Sequence, residues 1–257
     1  MKKILFLALL LSFFAISCKK NDTNPVTNNS TPDQFFSFDS GKAWVYNEHD
    51  SISNEDTAFS RTCTDGLIVL DSTQYHVFLD SNHITNNIDS SFYNLIGNEY
   101  FQYTILSPQL PGFKEKYLIG DAPLGTTWTM PYTATIGSGT TSATISANIV
   151  NTIEEKGTSL TINSTNYSNL YKVKSEIANA TVSLPVVGNL PTTVIQNIHS
   201  YYAPKYGLVK SDRKLTISVT ISPTLSIILQ TLGVTIPAGD IPLTNTNKTT
   251  TLTSVNF

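Results

Sequence analysis

Polar and apolar residues alternate with period two along much of this chain. Ala143-Thr144-Ile145-Ser146-Ala147-Asn148-Ile149 puts Ala and Ile on one face and Thr, Ser and Asn on the other. Leu215-Thr216-Ile217-Ser218-Val219-Thr220-Ile221 repeats the pattern. Such alternation marks a strand with one buried and one wet face. Further β-branched or aromatic runs fall at Ala43–Tyr46, Leu67–Leu70, Tyr75–Leu79, Tyr100–Leu106, Lys116–Ile119 and Thr126–Tyr132. Others follow at Ser159–Ile162, Leu170–Val173, Thr193–Tyr202 and Thr249–Phe257. Gly, Pro, Asn and Asp clusters separate them at hairpin spacing. The pattern predicts a single all-β domain over residues 35–257. Its expected form is a curled antiparallel sheet or half-barrel with one or two short helices.

Helical periodicity occurs at Pro223–Leu232, where Leu225, Ile228, Leu229 and Leu232 follow an i, i+3, i+4, i+7 spacing. Pro223 suits a first turn and Gly233 a stop. A ten-residue helix is marginal alone, so its apolar face needs a partner. These four residues are therefore candidates for a lid that closes one end of the sheet over a ligand. Two stretches, Val182–Ile195 and Pro223–Leu243, are apolar and punctuated by proline. Proline should exclude both from central strands. They are expected to cap the open ends of the sheet, or to line or gate an apolar cavity there.

The N-terminus has a different logic. Lys2 and Lys3 precede a run from Ile4 to Ile16 that is almost wholly apolar. That is short for a membrane span and fits a signal peptide, residues 1–17. It ends Ser17-Cys18, which resembles the bacterial lipobox, so Cys18 is the expected lipidation site. Residues 18–34 are rich in Asn, Thr and Pro and read as a flexible linker. As a coil they would span roughly 20–25 Å.

Composition narrows the partners. Sixteen Lys and Arg stand against nineteen Asp and Glu, a net charge of −3. Loss of Lys2 and Lys3 with the leader would bring it to about −5. That excludes a nucleic-acid partner, which calls for a basic patch. Charged residues are only 14%, with Thr, Ser and Asn in their place. If Cys18 is acylated, Cys63 has no disulfide partner, and a free Cys usually packs as a small hydrophobe.

No nucleophile elbow, phosphate loop, zinc helix or calcium loop occurs. No cofactor or metal is expected. His76, Asp80 and His83 make a conceivable metal or acid–base trio, better read as a polar strand face with a hydrogen-bonded turn. Glu154 and Glu155 are adjacent, so on a regular strand they point to opposite faces. They cannot serve as paired glycosidase carboxylates, which must face each other.

Three segments carry a resemblance. They are Gly41-x-x-Trp44-x-Tyr46, Pro123-Leu124-Gly125-Thr126-Thr127-Trp128, and Tyr201-Tyr202-Ala203-Pro204-Lys205-Tyr206-Gly207-Leu208-Val209-Lys210. In that order they resemble a set of uncharacterised exported bacterial lipoproteins, over most of residues 36–215. Lys205 stands where that set has a glycine. The resemblance implies a curled antiparallel sheet similar to periplasmic lipoprotein carriers, and no activity. Each Trp follows a Gly by three, by internal duplication or by coincidence, and both are expected to be buried. The start of the chain looks like lipoproteins of the Bacteroidota. In that group Asp-Ser/Thr motifs can carry O-glycans, which makes Ser51, Thr57 and Ser72 candidate sites.

Three functions fit these observations. The first is an envelope lipoprotein, on the outer membrane, that binds an apolar ligand without catalysis. The second is a structural or interaction lipoprotein with a filled core. The third is a hydrolase with an unrecognised site. An apolar cavity of about 300 Å³ or more would separate the first two. Replacement of Cys18 by Ser should release the domain from membranes or leave it unprocessed. A Cys18→Ser protein that is processed and sediments with membranes like wild type would rule the anchor out.

Overall fold

A computed structural model describes residues 34–105, 110–136, 142–185, 187–231 and 238–257. Cys18, Leu232 and Gly233 lie outside the described residues. Six strands come first: β1 (Ala43–Asp50), β2 (Glu55–Leu70), β3 (Thr73–Asn82), β4 (Ile88–Ile96), β5 (Glu99–Thr104) and β6 (Phe113–Ile119). Next come β7 (Thr127–Ile136), β8 (Ala143–Ile162), β9 (Thr165–Leu184), β10 (Gly188–Leu190), β11 (Thr192–Ala203) and β12 (Gly207–Ile221). A short helix, α1 (Pro223–Thr231), and β13 (Gly239–Asn256) complete the chain. All these elements belong to one unit, residues 32–257. A chain lacking the first 18 residues therefore keeps the whole sheet.

The strands form one antiparallel sheet, nearly closed into a barrel, in the order β6-β5-β4-β3-β2-β1-β13-β12-β11-β9-β8-β7. β10 pairs with β9 off this path. The first and last strands, β1 and β13, meet in the middle, while β6 and β7, neighbours in the chain, form the two edges. Side chains tie these edges together. The Lys116 carbonyl accepts from Trp128 Nε1 at 2.7 Å and from Asn151 Nδ2 at 3.2 Å. Asn151, only 1% exposed, also accepts from Ser175 Oγ.

The alternation holds as expected. Ile145, Ala147 and Ile149 face inward with Leu215 and Ile217. Outside, Thr133 bonds Ser146 and Thr135 bonds Thr144 across β7 and β8. β4 was not anticipated, because its start, Ile88-Asp89-Ser90-Ser91, shows no apolar alternation.

The expectation about proline needs correction. The Pro-punctuated stretches do contribute strand: Val182–Leu184 ends β9, residues 192–195 begin β11 and residues 239–243 begin β13. Pro185 and Pro191 fall between strands. Pro242 sits inside β13 at a register shift, beyond the point where β1 runs beside it. A bulge on a locally unpaired edge spares the missing N–H.

Two hydrophobic clusters close the ends. At one end the segment before β1 turns inward, and Phe36 stacks on Trp44 with ring centroids 4.4 Å apart. Phe35, Phe78, Tyr93 and Tyr171 surround this pair. Trp44 and Trp128 are 0% and 8% exposed, as expected. At the other end α1 packs Leu225 and Leu229 against Val182, Leu190, Val219 and Ile221. Ser222 caps the helix by accepting from Leu225 N–H, and Pro223 takes the first turn. The buried stripe is narrower than the spacing implied, since Ile228 is 43% exposed. At 100° per residue it stands about 80° from the midline between Leu225 and Leu229.

The two Gly-x-x-Trp motifs share one geometry. Gly41 and Gly125 have φ of 84° and 81°. Each closes a turn and donates to the neighbouring strand, Gly41 to the Cys63 carbonyl at 2.8 Å and Gly125 to Ile153 at 2.9 Å. Cys63 N–H and Ile153 N–H return bonds to Lys42 and Thr126.

The third motif holds strain. In the Ala203-Pro204-Lys205-Tyr206 turn Lys205 has φ 71°, and its N–H donates to the Gln34 carbonyl at 2.8 Å. A left-handed conformation costs a side-chain-bearing residue about 1–2 kcal/mol. Gly207 is different: its φ is also positive, and a Cβ there would run into the Phe36 ring. In urea melts, Lys205→Gly should stabilise the fold by about 0.5–1 kcal/mol, and Gly207→Ala should destabilise it by at least 2 kcal/mol, on the order of an overpacked core.

Candidate ligand-binding site

Between the two hydrophobic ends the inner face of the sheet is not filled. An apolar chamber of about 150 Å³ lies against α1's end, walled by Ile145, Ile149, Ile177, Leu215, Ile217 and Leu243. It exists because alternation on β8 and β12 delivers the aliphatic Ile145, Ala147, Ile149, Leu215 and Ile217 there, with Arg213 besides. β9 and β11 also part at this level. Where their ladder ends, Gln196 replaces it by accepting from Ile177 N–H and donating to the Ile177 carbonyl.

A recess of about 90 Å³, lined by Ser175, Ile198, Ser200 and Tyr202, continues from the apolar chamber. Beyond it a polar chamber of about 210 Å³ carries Glu48, Arg61, Arg213, Lys248 and Thr250. Arg213 lines all three. No single chamber reaches the 300 Å³ that sequence reasoning set as the mark of a binding pocket; they adjoin as a series.

The charged groups of this interior are mostly matched. Arg61 grips Asp80 through two bonds of 2.8 and 2.6 Å and stands 5.1 Å from the Tyr93 ring centre. Lys248 reaches Glu48 at 2.6 Å. Glu115 accepts from Gln102 and Thr104. Burial raises the phenols of Tyr46, Tyr117 and Tyr202 above their ordinary range.

The residues singled out by sequence fall as follows. Leu225 and Leu229 seal the apolar end. Ser51 and Ser72 sit exposed in the β1–β2 and β2–β3 turns, and Thr57 is half-buried in β2 opposite Glu48. His76 packs on Phe38, Asp80 is taken by Arg61, and His83 is exposed in a turn. No group of three His, Cys, Asp or Glu side chains able to hold a metal comes together among the described residues.

The expectation that Glu154 and Glu155 point to opposite faces is corrected. Both reach Lys172, at 3.2 and 3.3 Å, because a bulge between Ile153 and Glu155 breaks the alternation. His199 joins Glu154 at 3.1 Å in the same cluster.

Arg61, Arg213 and Lys248 were not singled out by sequence reasoning. For Arg213 a signal was present. Stepping the odd-numbered alternation of Leu215–Ile221 back by two residues places Arg213 on the inner face.

No protein-family model matches the chain, and no curated protein does. Among solved structures, a candidate lipoprotein from Parabacteroides distasonis ATCC 8503, a crystal structure at 2.70 Å resolution, is similar to it. The TM-score is 0.47 and the identity 13%, over 88% of this chain and 99% of that one.

Burial pushes the Cys63 thiol up to about 11, with Asp39 adding to the effect. A group raised on folding stabilises the fold below its unfolded pKa, and that contribution is lost as pH rises through the folded value. Stability should therefore fall from about pH 9 towards 11, with the buried phenols adding from about pH 10 upward. Urea midpoints that stay level from pH 8 to 11 would contradict this assignment.

Proposed function

We propose that this chain is a lipoprotein of the cell envelope that binds an apolar ligand inside its curled sheet, without chemistry on it. The apolar chamber carries the reading. Its aliphatic walls are left facing each other across about 150 Å³ where a filled core would place side chains. The interior carboxylates support binding rather than catalysis, since Asp80, Glu48 and Glu115 are each held by a cation or by neutral donors. Leu225 and Leu229 make α1 the lid of the apolar end.

The anchor belongs to the same proposal. Acyl chains on Cys18 hold the protein on the outer membrane, and residues 18–34 space the domain from it. Ser51 and Ser72, exposed in turns, are the more accessible of the candidate glycan sites. The supports are the apolar leader, the small residue before the cysteine and the polar stretch after it.

A structural lipoprotein with a filled core is the competing reading, and one substitution separates them. Ala147 lines the apolar chamber opposite Tyr132. Ala147→Phe should fill the chamber at less than about 1 kcal/mol and abolish binding of a small apolar probe such as benzene by the chain from residue 19 onward. In a packed core the same change costs about 1–3 kcal/mol. That cost, with no benzene binding by the parent chain, would establish the structural reading.

A further inference from the structure

The site just proposed holds a cation that forms no ion pair, and this inference rests on that reading. Arg213 stands directly opposite Lys248 across the β12–β13 ladder, and both line the polar chamber. Like charges in direct cross-strand register destabilise a sheet. Lys248 has Glu48. Arg213 forms no ion pair among the described residues. On its other side β11 presents Ile198 at the same register. Asp80 is occupied by Arg61. Glu115 lines the recess that Arg213 also lines, but it accepts from the neutral donors Gln102 and Thr104 and forms no ion pair with Arg213.

The position of Arg213 indicates what would balance it. Arg213 lines both the aliphatic chamber and the polar one. We propose that Arg213 receives the anionic head of an amphipathic ligand whose hydrocarbon part lies in the apolar chamber. A cavity near 150 Å³ takes a group about the size of benzene, so the buried hydrocarbon is on the order of six carbons. The head is a carboxylate or a phosphate, which a guanidinium binds through two parallel N–H bonds.

The test titrates the chain from residue 19 onward with octanoate, octyl phosphate, octan-1-ol and octylammonium near neutral pH, by calorimetry. At least one anion should bind about tenfold or more tighter than the alcohol, and octylammonium should bind weakest. The tighter anion identifies the head. Arg213→Gln should remove that preference while octanol affinity stays within about twofold. Lys214→Gln, on the opposite face of β12, should change neither. Ligand-free Arg213→Gln should melt close to the parent, because Arg213 has no ion pair to lose; this separates lost binding from lost fold. Equal affinity for anions and alcohol, or a preference that survives Arg213→Gln, overturns the proposal and leaves the apolar site standing. Failure of all four probes to bind overturns the apolar site and this inference together.

Discussion

The short link between the two edges of the sheet governs this structure. β6 ends at Ile119 and β7 begins at Thr127, yet they lie at opposite ends of a path of twelve strands. Laid flat, such a sheet would hold its edges about 50 Å apart, at about 4.8 Å per strand gap. The seven residues between them reach at most about 28 Å. The sheet must therefore curl until its edges approach. Ladder hydrogen bonds do not close the gap; Trp128 and Asn151 do so through one carbonyl, that of Lys116. The cost of leaving Asn151 buried is offset by its bonds to both Lys116 and Ser175.

Curling creates an inside, and the inside must be filled or left open. The two ends are filled by different means. Phe35 and Phe36 enter from the segment ahead of β1, and α1 brings Leu225 and Leu229 to the far end. Neither plug reaches the middle. There the side chains from β8 are aliphatic and of modest size, β12 adds Leu215, Ile217 and Arg213, and β1, β2 and β13 bring Glu48, Arg61 and Lys248. The interior therefore grades from apolar to polar along its length. A gradient of that kind is poor material for a dry core and good material for holding something with one oily and one polar end.

Much of this was legible in sequence. Alternation in 143–149 and 215–221 gave the inner face correctly, and Gly41 and Gly125 marked strand starts that prove alike in their hydrogen bonding. Long-range arrangement was not legible. Nothing local says that β1 pairs with β13, because that pairing joins residues about 200 positions apart. β4 escaped because its start, Ile88-Asp89-Ser90-Ser91, shows no apolar alternation. Bulges escaped too, and they explain Glu154 with Glu155 and the strand around Pro242. The site was half visible. Its apolar wall follows from alternation, whereas its cations sit on strands whose neighbours only the topology supplies.

Among the places in the described residues where local rules are broken, three have different reasons. Glu154 and Glu155 crowd one side of β8, and Lys172 compensates both. Lys205 holds a left-handed backbone, and that turn aims its N–H at Gln34, at the start of the segment that plugs the sheet. In each case the fold supplies a compensation that can be named. Arg213 beside Lys248 has no ion pair: no carboxylate of the described residues lies within bonding distance of it, and Glu115 in the same recess is turned to Gln102 and Thr104. A violation without a structural offset is the kind expected where function, rather than stability, sets the residue. Its placement, at the one point shared by the aliphatic and the charged chambers, makes a ligand's negative charge the missing compensation.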